Sequence, residues 1–291
     1  NMKNERSNNI FLSGGKNVFD KNQIYHGCSS DVLKSMPCEF VDLTVTSPPY
    51  DDLRKYKGFK LDVDTISKEL HRVTKTGGVV VWVTNDKTYK GSETVTSFKH
   101  ALTFIENGWD LNDTMIFAKT NPMPTETSRR YRQTFEYMFV FSKGKPNVFN
   151  PIKEPTLSKR KYKSNWGRKD DYMLSSTGAE RSTSKEKVMG NIFYYSISVG
   201  GATKDKFAFE HPAIFPEQLA KDHILTWTNE GDIVLDCFCG SGTTLKMAKE
   251  NHRNWIGIDT SYEYCELSER RVREKNIITA YTHEPSLKTG T

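Results

Sequence analysis

The ten residues VDLTVTSPPY, residues 41–50, decide how the rest of this chain is arranged. The apolar run at residues 41–45 predicts a buried β-strand. Pro48 and Pro49 cannot continue a central strand or enter a helix interior, so the backbone must turn out of the sheet at the carboxyl end of that strand. In an open α/β sheet, this edge is where ligands bind.

The chemistry of this corner suits a flat molecule that carries an amino group. The proline carbonyls and the hydroxyl of Ser47 are hydrogen-bond acceptors, and Tyr50 offers the face of an aromatic ring. An amino nitrogen can be held by two acceptors while its ring stacks on the tyrosine. The alternative is a proline-rich turn after a core strand, with no functional role.

The corner resembles the (S/D/N)-P-P-(Y/F) motif of the S-adenosylmethionine-dependent amino methyltransferases. The form with serine is similar to the DNA N4-cytosine branch of that family. The resemblance implies that Ser47 and the carbonyl of Pro48 accept hydrogen bonds from the target amino group, with Pro49 and Tyr50 completing the catalytic corner. Serine does not exclude adenine N6 as the target.

A second signal lies near the carboxyl end of the chain, where residues 233–236 predict a strand and CFCGSGTT, residues 237–244, opens a helix. A glycine-rich turn allows a ligand close to the backbone, and the helix amino terminus favours a carboxylate. Asp259 follows Asp236 by 23 positions, which resembles the spacing of a ribose-binding acid. Neither the lysine of a P-loop nor the third glycine of a dinucleotide fingerprint is present. A nucleoside with a carboxylate but no pyrophosphate fits, and this points to S-adenosylmethionine.

Two further stretches agree with the family. The pattern D-x-F-x-G-S-G-T-T from Asp236 closely resembles its cofactor motif, with Cys237 where many members have proline. Residues 211–216, HPAIFP, resemble the segment that precedes this motif. The order of catalytic corner, insert and cofactor motif is that of the permuted β class, and the resemblance covers roughly residues 23–275.

Strands and helices alternate through the first half of the chain, which predicts a mostly parallel sheet covered by helices. The family resemblance implies an α/β fold, the Rossmann-like class I methyltransferase fold, with helices on both faces of a twisted sheet. We predict a catalytic half at residues 1–142, a basic target-recognition insert at 143–207, a cofactor-binding half at 208–278 and a polar tail at 279–291.

The insert carries the basic excess of the protein. Residues 143–190 contain 12 Lys and Arg against 5 Asp and Glu, a local charge of +7 in a chain whose total is +6. Aromatic residues are scattered among these charges. Cations meet phosphates and rings stack on bases, so the pattern predicts DNA binding. The alternative for any single residue here is a solvated loop.

The predicted cofactor-binding residues are Asp31, Phe215, Asp236, Phe238, Gly240, Gly242, Thr243 and Asp259. Asp31 has an N-cap as its alternative role, Asp236 a bond to backbone amides, Asp259 a place at a helix amino terminus, and the two phenylalanines a place in the core. The predicted DNA-binding residues are Arg54, Arg129, Arg130, Arg132, Lys159, Arg160, Lys161 and Lys163.

The cysteine content and the lengths of the apolar runs limit the functions that are possible. Five cysteines without a paired C-x-x-C framework indicate neither a disulfide scaffold nor a zinc site. No apolar run approaches the roughly 18 residues of a membrane span, and a cytoplasmic protein is the simplest interpretation. Double-stranded DNA is the expected partner, with a cognate restriction endonuclease as a further one. A cofactor-binding DNA-recognition subunit without activity, and methylation of RNA or protein glutamine, remain alternatives.

One pair of residues raises the question of a different mechanism. Pro37-Cys38 is similar to the Pro-Cys nucleophile of the C5-cytosine methyltransferases. However, Cys38 precedes the strand at 41–46, so we expect it at the opposite edge of the sheet from the site. The Glu-Asn-Val partner motif of those enzymes is missing as well.

Overall fold

The computed structural model describes residues 19–49, 61–122, 129–156, 161–163, 167–168, 174–175, 180–182, 184–198, 200–205, 208 and 216–273. Five predicted site residues lie outside these ranges: Tyr50, Arg54, Lys159, Arg160 and Phe215. Lys161 and Lys163 are described as backbone only.

Eight strands form the main sheet: β1 Gln23–His26, β2 Val41–Thr46, β3 Thr74–Thr84, β6 Asp110–Lys119, β7 Phe135–Ser142, β14 Ile192–Tyr195, β15 Ile233–Asp236 and β16 Asn254–Asp259. Eight short strands form antiparallel pairs: β4 Thr88–Tyr89 with β5 Ser92–Glu93, β8 Lys153–Pro155 with β13 Glu186–Val188, β9 Lys161–Lys163 with β12 Glu180–Ser182, and β10 Gly167–Arg168 with β11 Leu174–Ser175. The helices are α1 Ser29–Ser35, α2 Val63–Val73, α3 Thr96–Glu106, α4 Glu217–Trp227, α5 Thr243–Glu250 and α6 Tyr262–Arg273.

The strand order of the main sheet is β1-β16-β15-β2-β3-β7-β6-β14. Neighbouring strands are parallel except where β7 lies antiparallel between β3 and β6. The chain winds outward from the centre in both directions, through α2 from β2 to β3 and through α5 from β15 to β16. The order therefore reverses between β15 and β2, which is the position where open α/β sheets bind ligands.

Helices cover both faces of this sheet. The apolar sides of α1, α2 and α3 pack on one face through residues such as Leu33, Leu70 and Phe104, all of them fully buried. Side chains of α4 and α5 pack on the other face, among them Leu219 and Ala248. The predicted fold class, a mostly parallel sheet between two helical layers, is confirmed.

Local signals in the sequence explain several boundaries. Asp62 caps α2, because its side chain accepts a hydrogen bond from the backbone N–H of Thr65 at 3.1 Å. A glycine after a helical stretch predicts a helix end, and Gly108, with φ +90°, follows the end of α3. By the same rule Thr76-Gly77-Gly78 predicts the end of α2, and this prediction is wrong. The helix ends at Val73, and these residues already belong to β3, which begins at Thr74.

The basic insert contains a nested series of strand pairs. β8 pairs with β13, β9 with β12 and β10 with β11, so the described segments between residues 153 and 188 form three antiparallel pairs, each nested within the one before it in the sequence. The last strand of the predicted insert, β14, joins the main sheet beside β6. Phe193 and Tyr195 of that strand are buried in the core, so packing rather than DNA contact explains them, whereas Tyr194 is exposed.

None of the helices in the described ranges combines the length and the apolar character that a membrane crossing needs.

Candidate functional site

The two sequence motifs meet because β2 and β15 are neighbours in the sheet. Val234 pairs with Leu43 and Leu235 with Thr44, so the carboxyl ends of both strands lie side by side. The hydroxyl of Thr46 donates a 2.7 Å hydrogen bond to Oδ1 of Asp236. The last residue before the catalytic corner is thereby joined to the first residue of the glycine-rich motif.

A second hydrogen bond also joins the glycine-rich motif to β2. The hydroxyl of Thr244, at the start of α5, donates to the carbonyl oxygen of Val45 at 3.1 Å. Thr244 is fully buried. Both ends of the glycine-rich turn are therefore attached to the strand that carries the Pro-Pro corner.

The corner itself follows directly. Ser47 is half-buried, Pro48 is buried and Pro49 is half-buried at the end of β2. Because Asp236 holds Thr46, and Ser47 is the next residue in the chain, Ser47 lies next to the cofactor motif. The structure thus brings Ser47, Pro48 and Pro49 and the glycine-rich turn to one edge of the sheet, while their individual roles stay predictions.

The glycine-rich turn has the backbone geometry that its sequence predicts. Gly240 and Gly242 adopt φ values of +48° and +77°, which side-chain-bearing residues rarely adopt. A Cβ on Gly242 would come within 3.0 Å of the Ser268 side chain. Ser268 also donates a 2.6 Å hydrogen bond to the carbonyl oxygen of Gly240. The turn is therefore held by contacts with α6, and a side chain at Gly242 would collide with Ser268.

Asp259 lies at the end of β16, beside this turn. Its Oδ2 accepts from the backbone N–H of Gly240 and its Oδ1 from that of Ser261, both at 2.9 Å. Burial raises the pKa of this carboxyl, although these hydrogen bonds act in the opposite direction. A carboxylate has about four acceptor sites, more than the backbone N–H groups of Gly240, Thr260 and Ser261 occupy. The donor set, a carboxylate next to a glycine turn and a helix amino terminus, fits a ribose and a carboxylate, and so fits S-adenosylmethionine.

Asp236 is more deeply buried, with only 1% of its surface exposed. Oδ1 accepts both the hydroxyl of Thr46 and, at 3.1 Å, the backbone N–H of Phe238. Burial raises the pKa of Asp236 to about 6. The structure therefore shows the alternative role considered for this residue, a bond to backbone amide. A direct contact with the cofactor stays a prediction.

The other predicted cofactor residues differ in their surroundings. Asp31 is exposed in the first turn of α1 and pairs with Lys34 at 3.4 Å. Its alternative role as the N-cap is wrong, because Cys28 occupies that position. Phe238 is half-buried with its ring 6.0 Å from that of Trp82. Thr243 is buried at the start of α5.

The loop before β7 carries the described arginines of the predicted DNA face. Arg129 and Arg132 are exposed, and Tyr131 between them is fully exposed. Arg130 is used within the protein, because it donates to the carbonyl oxygen of Gly91 at 3.1 Å and to other groups of the β4–β5 hairpin. Arg130 anchors the loop, while its neighbours face solvent.

The structure shows at which edge of the sheet Cys38 lies. It is exposed in the turn that precedes β2, at the amino end of that strand, and Arg72 donates to its sulfur at 3.3 Å. Ser47 lies at the carboxyl end. The two residues are therefore at opposite edges of the sheet, as expected, and Cys38 is not a nucleophile for this site.

Sequence reasoning missed several residues that the structure brings to this site. Thr46 and Thr244 join the two motifs, Arg271 contacts the glycine-rich turn, and Tyr131 is exposed between two arginines. Only Tyr131 had a signal in the sequence, an aromatic residue within a basic run. The others depend on contacts between segments far apart in the chain.

The fold and the paired motifs define a class I methyltransferase. The profile of the N6/N4 DNA methylase family matches residues 41–270. The chain is 48% identical over 241 residues to the orphan methyltransferase M.BamHII of Bacillus amyloliquefaciens, a match that covers 82% of this chain and 91% of that protein. The chain therefore belongs to the DNA methylase family, whose S-adenosylmethionine dependence agrees with the predicted cofactor.

Solved structures show the same fold. The cytosine-N4-specific PvuII DNA methyltransferase matches with a TM-score of 0.63 at 22% identity, over 87% of each chain. The M1.HpyAVI–SAM complex matches with a TM-score of 0.54 at 25% identity, over 86% of this chain and 98% of that one. The predicted family resemblance is confirmed, and the choice between N4 and N6 stays open.

We expect Asp236→Asn to stabilise the cofactor-free protein above pH 6. Because the folded-state pKa of about 6 lies above the ordinary value of 3.8, the folded protein holds a proton that the unfolded chain releases. Stability is then lost as pH rises through 6, by up to about 3 kcal/mol. Asparagine keeps the Oδ1 acceptor but cannot ionise, so urea unfolding at pH 4 and pH 8 should show a smaller loss.

The control for this prediction is Glu106→Gln, at an exposed position of α3. It should leave the pH dependence of the free energy of unfolding as it is in the unsubstituted protein. A loss of stability between pH 4 and pH 8 that is equally large in Asp236→Asn would show that Asp236 is not the group responsible.

Proposed function

We propose that this chain transfers a methyl group from S-adenosylmethionine to the exocyclic N4 amino group of cytosine in duplex DNA, at a specific site. The observation that carries the proposal is the hydrogen bond between Thr46 and Asp236, which sets Ser47 next to the glycine-rich turn. Serine at this position favours cytosine N4. A carboxylate there would favour adenine N6.

The difficulty of the reaction is that the lone pair of an exocyclic amino group is delocalised into the ring. When bound, S-adenosylmethionine would supply the methyl group: its methyl–sulfur bond breaks as the nitrogen–carbon bond forms, S-adenosylhomocysteine is the leaving group, and the amino nitrogen loses one proton. Ser47 and the carbonyl of Pro48 accept hydrogen bonds from the amino group, and this helps its nitrogen to become tetrahedral. Holding two reactants in line can contribute roughly 7–11 kcal/mol, so positioning supplies much of the rate.

We propose that the cofactor lies over the glycine-rich turn, with Asp259 accepting its ribose hydroxyls. Gly240, Gly242 and the amino terminus of α5 face its amino acid portion, as the resemblance implies. Asp236 acts mainly through other residues of the site, since its carboxylate accepts hydrogen bonds from Thr46 and from the backbone N–H of Phe238 and so fixes both. Asp31, Phe215, Phe238 and Thr243 complete the proposed cofactor site.

Two parts of the chain support DNA binding. The loop before β7 presents Arg129, Tyr131 and Arg132 to solvent at the edge of the sheet where β2 ends. The described segments of the basic insert contain three nested antiparallel strand pairs. We propose that they form one two-stranded arm, a ribbon of the kind that fits the major groove. We propose that the arm reads the site, together with Arg54, Lys159, Arg160, Lys161 and Lys163. The target base must be flipped out of the duplex, at a cost of a few kcal/mol, and stack on Tyr50.

A site-specific methyltransferase of this kind protects DNA from a nuclease that reads the same sequence. We propose a cognate restriction endonuclease as its functional partner. The two proteins need not touch, because the methyl group on the DNA itself blocks the nuclease.

The first experiment is to incubate the protein with methyl-labelled S-adenosylmethionine and mixed-sequence duplex DNA, and to digest the DNA to nucleosides. We expect the label on N4-methylcytosine, identified by mass. Label on N6-methyladenine would keep the family and the cofactor but overturn the choice of cytosine. No label on DNA, while the cofactor still binds, would favour a recognition subunit without activity.

We expect Ser47→Ala to lower kcat at least about a hundredfold, a size typical of the loss of one group that stabilises a transition state. Because Ser47 contacts the target and not the cofactor, the Kd for S-adenosylmethionine should stay the same by calorimetry. Ser92→Ala, in the exposed β4–β5 hairpin, is the matched control and should keep full activity. An undiminished turnover of Ser47→Ala would contradict the catalytic role.

For the DNA face, we expect the double variant Arg129→Ala, Arg132→Ala to bind duplex DNA more weakly and with less dependence on salt. Each phosphate contact contributes about 0.9 to the slope of log K against log salt concentration, so the slope should fall by about two. The control is Arg273→Ala, an exposed arginine at the end of α6. An unchanged slope would show that this loop does not contact the phosphates.

A further inference from the structure

Four charged side chains from separate segments meet beside the glycine-rich turn. Arg271 of α6 and Lys246 of α5 are the cations, with 0% and 5% of their side chains exposed. Asp205 and Glu217 are the anions, with 13% and 20% exposed. A fifth charged group, the more exposed Glu250, lies at the edge of the cluster, 3.9 Å from the Lys246 ammonium. The cluster takes no part in the chemistry proposed above.

Arg271 is the centre of this cluster, because every nitrogen of its guanidinium group donates. Nε donates to Oδ2 of Asp205 at 2.9 Å, and Nη2 donates to Oε1 of Glu217 at 2.7 Å and to the hydroxyl of Thr203 at 3.1 Å. Nη1 donates to the backbone oxygen and the hydroxyl of Ser241, at 3.2 and 3.0 Å, and to the hydroxyl of Thr243 at 2.9 Å.

Nη1 of Arg271 contacts the glycine-rich turn itself. Ser241 lies between Gly240 and Gly242, and Thr243 is the first residue of α5. The glycines on either side of Ser241 have little conformational preference of their own. The guanidinium group therefore fixes a turn whose sequence alone would allow many shapes.

Two of the remaining contacts, Thr203 and Asp205, lie on the segment that ends the DNA-recognition insert, and Lys246 donates to the same Asp205 oxygen at 2.7 Å. The third contact, Glu217, is the first residue of α4. Its backbone N–H donates to the carbonyl oxygen of Ala202, on the insert segment, at 2.9 Å. The side chain of Arg271 thus joins the end of the insert to the glycine-rich turn.

Stability alone does not require such a cluster. Removing charges from water is costly, and buried ion pairs are often no more stabilising than apolar side chains of the same size. A planar fork of five N–H groups is instead suited to fixing several acceptors in one geometry, which a lysine ammonium cannot do. The arrangement therefore serves geometry more than stability.

We propose that Arg271 is a positioning residue, which holds the turn at residues 240–243 in the shape that binds S-adenosylmethionine and ties that shape to the end of the DNA-recognition insert. The inference rests on the proposed function, because it assigns the cofactor to this turn. It adds a residue on α6, outside both sequence motifs, as a determinant of cofactor affinity.

The test is Arg271→Lys in the full chain, with the Kd for S-adenosylmethionine measured by calorimetry without DNA. Lysine keeps the charge but loses the fork, and the Kd should rise at least about tenfold, the equivalent of one or more lost hydrogen bonds. In turnover assays KM for the cofactor should rise, while KM for DNA and kcat change little. Arg273→Lys, an exposed arginine on the same helix, is the control and should bind as the unsubstituted protein does.

A second pair of variants keeps the test decisive if Arg271→Lys does not fold. Thr203→Val removes the hydroxyl that Arg271 contacts at the end of the insert. It also removes the 2.7 Å hydrogen bond from that hydroxyl to Glu217 and the 3.0 Å bond that it accepts from the backbone N–H of Asp205. The substitution should weaken cofactor binding about threefold. Thr203→Ser should restore the affinity. An unchanged Kd in Thr203→Val, or in folded Arg271→Lys, would overturn the inference. No binding by the unsubstituted protein would overturn the proposed cofactor site, and the inference with it.

Discussion

The hydrogen bond from Thr46 to Asp236 joins the two strands on which the site depends. These residues stand 190 positions apart in the chain, and they meet because β2 and β15 are the central neighbours of a doubly wound sheet. Helices lie on opposite faces beyond each strand, so the carboxyl ends of β2 and β15 are left open toward a ligand. The Pro-Pro corner and the glycine-rich turn fill this opening from its two sides.

Burial has an electrostatic consequence at this junction. Asp236 and Asp259 end adjacent strands, and burial raises the pKa of both carboxyls. Their hydrogen bonds from backbone amides and from Thr46 oppose that rise without cancelling it. A protein that only needed stability would gain from neutral residues here. The retention of two acids at the edge of the sheet is typical of sites that bind a polar ligand.

Much of this architecture follows from local patterns. The apolar runs at residues 41–46 and 233–236 predict β2 and β15 with the observed bounds, and a glycine follows the end of α3. At residues 76–78 the register between β2 and β3 shifts and Gly77 has φ +80°, so the turn preference of glycine is met by an irregularity inside β3. Local signals placed these glycines at the end of α2 instead, which is wrong. They also left open the place of β14, whose aromatic residues serve both as a strand and as core.

The sequence by itself determined the family, the cofactor and the order of the motifs, because these depend on residue types at short spacing: Ser-Pro-Pro-Tyr after one strand, and Gly-Ser-Gly-Thr-Thr after another. Only the tertiary structure decided how the motifs are joined. Thr46, Thr244 and Arg271 act through contacts between segments far apart in the chain, and an isolated threonine or arginine carries no pattern that reveals its partner. Strand order and helix packing create those contacts, so the residues that position the site become visible only in the folded chain.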